Sequence, residues 1–407
     1  MPPAPTAVTR TSALVAGTYR ALSPARARLA ARDEAIVRTQ ITVAQIAAPT
    51  GDEAERGAWM ARRFHDCGLS DVHVDDAGNV IGRRPGTHAG PAVVVCAHLD
   101  TVFPHQTDLA VRRDGDRLVG PGINDNGRGL AVMLALASEI DGARLVPRCP
   151  VEFVATTGEE GAGDLRGAKH YFAARGQAAR AMIALDGAGD ERIIHRALGS
   201  RRFRVSFAGP GGHSWAAFGA PNAVHAAAIA GAELAGLTLP TEPRTTLSVG
   251  RIGGGLSVNS IPDAAWLEID LRSTSAAHLD RYEGEIRRIA QRAADAENDK
   301  RAFGCRPLEL RVVVIGCRPC GETSRDHALV QAALEATRVV GREPDLALAS
   351  TDANVPISLG IPAIAIGAGG RGGDAHTRAE WFDNTHGTVG VARALTVVMA
   401  ATQLAAD

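Results

Sequence analysis

The hydrophobic positions follow two rhythms along the chain. From about residue 33 to 199, short unbroken apolar runs recur at 93–96 (Val-Val-Val-Cys), 151–156 (Val-Glu-Phe-Val-Ala-Thr) and 182–185 (Met-Ile-Ala-Leu). Runs of this length, rich in β-branched residues, predict strands buried on both faces. Between the first two, residues 129–140 (Gly-Leu-Ala-Val-Met-Leu-Ala-Leu-Ala-Ser-Glu-Ile) predict a buried helix. Strand and helix alternating in this way predict an α/β unit with a largely parallel sheet. From about 200 to 315 the rhythm changes. Residues 202–207, 245–252 and 264–271 alternate apolar with polar and predict half-buried strands, and 308–315 predicts a fourth. Helices are predicted at 223–237, after Pro221-Asn222, and at 276–296. The order β-α-β-β-α-β is that of a ferredoxin-like module. The first rhythm then resumes, with a helix at 328–340 and an apolar run at 361–366. The predicted fold class is α/β: a mixed, mostly parallel sheet domain in two parts, 1–199 and 316–407, with a ferredoxin-like α+β lid inserted at 200–315.

Composition narrows the function classes. A chain of 407 residues is long enough for two or three domains. A formal net charge of -1 sets up no global field toward nucleic acid or an anionic membrane, and 4% aromatic content offers little base-stacking surface. No nucleic-acid or membrane partner is therefore expected. No apolar run reaches the roughly 18 residues that a membrane span requires. The start, Met1-Pro2-Pro3-Ala4-Pro5-Thr6, has no basic segment followed by an apolar core, so no secretory signal is expected. The Ala- and Arg-rich stretch to Arg32 reads as a helix with a frayed start. Six cysteines in so long a chain do not make a disulfide framework, which fits a cytoplasmic protein. Cys317-Arg318-Pro319-Cys320 lacks a second CxxC and reads as a loop rather than a zinc or redox site.

Candidate chemistry gathers at the ends of the apolar runs. His98 and Asp100 follow the run at 93–96. Residues i and i+2 of an extended segment point to one side, so Asp100 can accept a ring N–H and orient His98. Asp125 lies in the turn Gly122-Ile123-Asn124-Asp125-Asn126-Gly127, where it can bridge two metal ions, or cap the next helix. Glu159-Glu160 follow the run at 151–156. Adjacent carboxylates repel, and burying such a pair calls for a cation; the alternative is a solvated acidic turn. Asp186 follows the run at 182–185, and His376 follows a glycine-rich loop. Each motif alone has a structural explanation. Jointly, His98, Asp125, Glu160, Asp186 and His376 suit a pair of divalent metal ions, with Glu159 spare as a general base. Two candidates for substrate binding fall in the inserted module. His213 sits in the turn Gly209-Pro210-Gly211-Gly212-His213-Ser214, and Arg272 can bind a carboxylate bidentately or serve as a surface charge.

Together these motifs resemble the co-catalytic zinc metallopeptidases that include peptidase T, carboxypeptidase G, succinyl-diaminopimelate desuccinylase and aminoacylase-1. The resemblance runs from about residue 35 to the C-terminus. It is carried by His98-Leu99-Asp100-Thr101-Val102, Gly122-Ile123-Asn124-Asp125, Thr157-Gly158-Glu159-Glu160-Gly161, Leu185-Asp186, Gly253-Gly254-Gly255 with Asn259-Ser260-Ile261-Pro262, and Ala375-His376-Thr377. It implies that His98 and Asp186 bind one metal, Glu160 and His376 the other, and that Asp125 bridges them and precedes a cis peptide to Asn126. It implies Glu159 as general base and then proton donor to the leaving amine, and Asp100 as a supporting catalytic residue. His213 and Asn259 would reach the active site of a neighbouring subunit, making the inserted module a lid and dimerisation domain of a homodimer, and Arg272 would bind a substrate carboxylate. Zinc is the implied metal, with cobalt and manganese compatible with the same ligands. The implied substrates are small peptides or N-acyl amino acids. Two departures bear on the branch. Asn126-Gly127-Arg128-Gly129 follows the bridging aspartate where many relatives carry Lys-Gly. Asp at 186 and Ser350-Thr351-Asp352-Ala353-Asn354 resemble the peptidase T branch, which points to a tripeptide aminopeptidase, with N-acyl-amino-acid amidohydrolase or carboxypeptidase as the alternative. A non-catalytic binding protein on the same fold is the remote alternative.

Overall fold

In the computed structural model, which describes residues 7–141 and 145–404, the three unbroken apolar runs become neighbouring strands. Ala92–His98 lies between Val151–Thr156 and Ala179–Leu185 and is parallel to both, and Ala363–Ile366 continues the parallel run beyond Ala179–Leu185. Every residue of Ala92–His98 and Val151–Thr156 is buried. The reason is visible in the packing. Val93, Val95 and Phe153 enter one core with the helices Gly127–Glu139, Ala328–Val339 and Gly387–Ala401, while Val94, Cys96 and Val154 enter a second core with Arg166–Arg175. Both faces of the sheet are covered, so alternation is lost and the runs are apolar throughout.

The outer strands turn the sheet mixed. Val80–Arg84 pairs antiparallel with Val151–Thr156, and Ser70–Val74 antiparallel with Val80–Arg84. At the far side Arg192–Ala197 runs antiparallel to Ala363–Ile366 and parallel to Asp345–Ala349. With Gly321–Glu322 at the edge, nine strands among the described residues share this sheet. A small sheet, Arg371–Gly373, Trp381–Asp383, Arg117–Val119 and Arg112–Asp114, accompanies it. The Ala- and Arg-rich N-terminal stretch is two helices rather than one. Ala7–Ala21 ends before Ser23–Ala31, whose first turn holds Pro24, a residue that cannot continue a helix interior but suits a helix start.

The chain divides into two compact units, Met1–Ala197 with Glu322–Asp407, and Leu198–Gly321. The second has its own core. Its antiparallel sheet has the order Thr245–Gly254, Ala264–Ser273, Gly199–Ala208, Glu309–Arg318. Phe203, Val205, Leu267 and Ile269 pack against Ala226 and Ala230 of the helix Ala223–Ala235 and Ile286 and Ile289 of Ala276–Asn298. Burial along Ala264–Ser273 alternates residue by residue, as expected of a sheet covered on one face. Asn222 and Ser275 cap the two helices with their side-chain oxygens. The first of these strands along the chain begins at Gly199 and the last ends at Arg318, and the compact unit, Leu198–Gly321, extends beyond 200–315 on both sides. Among the described residues no helix is long and apolar enough to cross a membrane.

Candidate metal centre

Four of the candidate residues stand at strand ends of one sheet. His98 is the last residue of Ala92–His98, Glu159 and Glu160 follow Val151–Thr156, and Asp186 follows Ala179–Leu185. His98 and Thr156 are register partners, and the Leu99 N–H donates to the Thr156 carbonyl at 2.7 Å, so the first two strand ends are level. Asp125 sits in the turn before the helix Gly127–Glu139, and His376 in the loop between Arg371–Gly373 and Trp381–Asp383.

The fold brings these side chains together. His98 Nε2 lies 2.9 Å from Asp125 Oδ1 and 3.9 Å from Asp186 Oδ1. His376 Nε2 lies 2.7 Å from Glu160 Oε1 and 3.3 Å from Asp125 Oδ2. Asp125 therefore stands between the two histidines, one oxygen toward each. One ligand atom each of His98, Asp125 and Glu160 lies within 4.8 Å of the others. The Asp125–Asn126 peptide is cis.

The electrostatics show a concentration of negative charge that suits a cation. Burial pushes Asp186 up to about 7, reinforced by the Asp125, Glu160 and Asp352 carboxylates. Burial also raises Glu160. Asp125 goes the other way: against the effect of burial, hydrogen bonds from His376 and His98 hold its carboxyl well below the usual range. The Asp125 hydrogen bond chiefly lifts His376 to about 9. His98 is raised well above the ordinary histidine value, because its bonds to Asp100 and Asp125 outweigh the opposing cost of burial. The carboxylates around the two imidazoles thus favour the protonated ring in each. Imidazole nitrogens and carboxylate oxygens are the donors that divalent zinc, cobalt and manganese accept, and a cation would replace those protons. The residues fit a metal centre.

Asp100 does more than orient His98. The His98 ring nitrogen Nδ1 bonds to the Asp100 backbone carbonyl at 3.0 Å and stands 3.5 Å from its carboxylate. The carboxylate itself, fully buried, accepts the N–H groups of Glu159 and Glu160, both at 2.9 Å, and the Thr50 hydroxyl at 2.8 Å. It therefore fixes the backbone of the acidic pair. Glu53 extends this support: its carboxylate accepts the Gly158 N–H at 3.1 Å and pairs with Arg166. Glu159 itself is buried.

The turn around Asp125 is held by residues to which the sequence assigned no role in holding it. Asn126, not Asp125, caps the following helix, its side-chain oxygen accepting the Gly129 N–H at 3.0 Å and its amide donating to the Leu185 carbonyl at 2.9 Å. Asn124 accepts the Ala188 N–H at 2.8 Å. The two asparagines fasten the Asp125 turn to the segment bearing Asp186. Gly129 is required by this approach, since a Cβ there would sit 2.1 Å from Asn126 Oδ1. Arg128 is buried and donates to the Ala368 carbonyl at 2.8 Å. Glu380 accepts three N–H groups of the same turn. Of these, only the polar residues flanking Asp125 were visible as a short motif; Glu53 and Glu380 act on backbone N–H groups far away in sequence, which leaves no local pattern.

His213, Asn259 and Arg272 belong to the second unit. His213 and Asn259 are both exposed and adjacent: His213 pairs with Ser260, and the Ser214 N–H donates to the Asn259 carbonyl at 3.0 Å. Arg272 is half-buried on the sheet, with Nε 2.6 Å from Asp270, which also binds Arg202 at 3.1 Å. Neither Cys317 nor Cys320 is in a disulfide.

Residues 94–400 match the family model of peptidase family M20/M25/M40. The fold is similar to that of aminopeptidase PepT from Bacillus cereus, at 23% identity over 90% of this chain and 98% of that one, with a TM-score of 0.72. A tripeptidase from Staphylococcus aureus matches at 22% identity over 91% and 98%, with a TM-score of 0.75. The YXEP protein of Bacillus subtilis, described as a dinuclear metal binding peptidase, matches at 18% identity over 91% and 98%, with a TM-score of 0.65.

Proposed function

We propose, from the premise that the chain belongs to peptidase family M20/M25/M40 and is a metallopeptidase or amidohydrolase, that His98, Asp125, Glu160, Asp186 and His376 hold two divalent ions and that the protein cleaves small peptides. The observation that carries this reading is the position of Asp125 between His98 and His376, with Asp186 and Glu160 on either side. His98 and Asp186 would serve one ion, Glu160 and His376 the other, and Asp125 both. Divalent ions held there supply Lewis acidity, lowering the pKa of a water molecule and polarising the scissile carbonyl. Glu159, with its backbone fixed by Asp100, takes a proton from water and returns it to the leaving amine. Zinc is the proposed metal.

The proposed substrates are tripeptides with a free amino terminus. Asp at 186 and the 350–354 segment support that branch, and the names of the first two similar structures, an aminopeptidase and a tripeptidase, agree with it. Asp352 of that segment accepts the Thr156 hydroxyl at 2.5 Å and adds to the negative surroundings of Asp186. In a homodimer formed through the second unit, exposed His213 and Asn259 would meet substrate in the partner's site, and Arg272 a substrate carboxylate. Six cysteines outside any disulfide fit a cytoplasmic setting.

The test is hydrolysis of a panel: free tripeptides and dipeptides, N-blocked peptides, C-amidated peptides and N-acyl amino acids, each with and without chelator. Tripeptide cleavage that N-blocking, chelation and Glu159→Gln each abolish supports the reading. Cleavage of N-acyl amino acids instead replaces the substrate class and keeps the centre. No cleavage at all, with or without metal, moves the protein to the non-catalytic binders.

A further inference from the structure

Glu380 has no part in the chemistry above, yet its side chain is fully buried and both of its oxygens face the Asp125 turn. Oε2 accepts the Gly122 N–H at 3.0 Å, and Oε1 accepts the N–H groups of Asn124 and Asp125 at 2.8 and 2.7 Å. The Glu380 backbone is anchored as firmly. Its carbonyl accepts the Gly120 N–H at 2.9 Å, and its N–H donates to the Thr377 carbonyl at 3.2 Å. The next residue opens the strand Trp381–Asp383, which pairs with Arg117–Val119, the strand leading into the Asp125 turn. Glu380 also lies four residues beyond His376 in the same loop. One side chain therefore joins the loop that presents His376 to the turn that presents Asp125, whose groups meet at 3.3 Å.

The chemistry of the bond set selects an acid. Three N–H donors converge on two oxygens, and only a carboxylate offers acceptors on both arms; a glutamine has one oxygen and one NH2. Placing a second anion beside Asp125 opposes the burial of both, so a purely structural clasp would be served as well by a neutral group elsewhere. We propose that Glu380 is a positioning residue of the metal centre, setting the Asp125 carboxylate against His376 so that both reach the same ion. The inference rests on the metal-centre reading above.

The variants Glu380→Gln and Glu380→Asp separate reach from charge. Glutamine keeps the reach but turns an NH2 toward at least one N–H. Aspartate keeps the charge but withdraws both oxygens by about one methylene. The full-length protein is titrated with Co2+ in competition with a chelator, and the visible bands of the Co2+-loaded protein report its coordination geometry. Glu152→Gln is the control: Glu152 is also buried, bound to Tyr171 and Arg175, and sits near the start of Val151–Thr156, the end of that strand away from Glu159 and Glu160. Both Glu380 variants are expected to bind Co2+ about 10- to 100-fold more weakly and to show shifted bands. Glu152→Gln is expected to melt earlier with Co2+ affinity unchanged. Affinity within about twofold of wild type in both Glu380 variants, with unshifted bands, overturns the proposal whatever happens to their melting temperatures. A wild-type protein that takes up no Co2+ overturns the metal-centre reading, and this inference with it.

Discussion

Replacing Asp100 with asparagine tests whether the carboxylate acts on the acidic pair or only on the histidine. Its Oδ1 accepts the Glu159 N–H, and its Oδ2 accepts the Glu160 N–H and the Thr50 hydroxyl. The side chain is completely buried, so water cannot replace a lost bond. Asparagine can keep its oxygen at the Oδ2 position, which saves two bonds and turns the NH2 against the Glu159 N–H. One charge-assisted bond is lost, worth about 1.5–3 kcal/mol, and one N–H is left unsatisfied, so the expected destabilisation is about 2–4 kcal/mol. In a unit of this size that corresponds to a melting temperature lower by roughly 3–7 °C. If Asp100 merely oriented His98, asparagine would cost far less, because the ring bonds to the residue 100 backbone carbonyl, which the substitution keeps. The assay is thermal unfolding of the chelator-treated protein, which removes any contribution from bound metal. A melting temperature within about 1 °C of wild type, no more than a roughly 0.5 kcal/mol effect gives, would falsify the backbone role.

Three further outcomes follow from the same geometry. Glu159→Gln should retain metal affinity and stability while its kcat falls by about 10²- to 10⁴-fold, the range for losing a general base; weakened metal binding would instead make Glu159 a ligand. The metal-free protein should lose stability as pH rises. Asp186 is raised to about 7, chiefly by burial, and His376 to about 9, chiefly by Asp125, so each contributes stability present below its unfolded value and lost as pH climbs through the folded one. Melting curves from pH 5 to 9 in chelator should therefore fall, His376→Gln should flatten the slope above pH 7, and a wild-type slope unchanged by that substitution refutes the assignment. Asn126→Ala removes the helix cap and the bond to the Leu185 carbonyl at a fully buried position; it should cost about 2–4 kcal/mol and weaken metal binding, and a loss confined to stability would unlink the Asp125 turn from Asp186.

The sequence displayed the central strands and the ligands for the same reason. A strand covered on both faces must be apolar along its whole length, so Val93, Val94 and Val95 stand out, and the polar residue that ends such a run is conspicuous. His98, Glu160 and Asp186 were visible on that contrast. The outer strands were not. Val80–Arg84 contains Gly82 and two arginines yet is largely buried, because Arg84 donates to the carbonyls of Cys67, Gly68 and Ala137. A side chain that satisfies itself on distant backbone looks like an exposed charge when read along the chain.

The same blindness covers Glu53, Glu380 and the backbone bonds of Asp100, which the sequence marked only as a partner of His98. Asp100, Glu53 and Glu380 each direct a buried carboxylate at backbone N–H groups of turns that bear or adjoin proposed ligands: Asp100 at Glu159 and Glu160, Glu53 at Gly158, and Glu380 at Gly122, Asn124 and Asp125. Backbone N–H groups carry no residue identity, so nothing in the sequence marks the partner. The arrangement also has an electrostatic consequence. Carboxylates that hold the turns add negative charge behind the proposed ligands, and Glu380 is itself pushed up to about 7, chiefly by burial and partly by Asp125, against its backbone bonds. A centre held by anions and lined by anions is compact only while cations fill it or protons stand in for them. Metal affinity and stability of this unit should therefore move together, and a ligand substitution that abolishes binding should also remove the gain in melting temperature that metal gives the wild type.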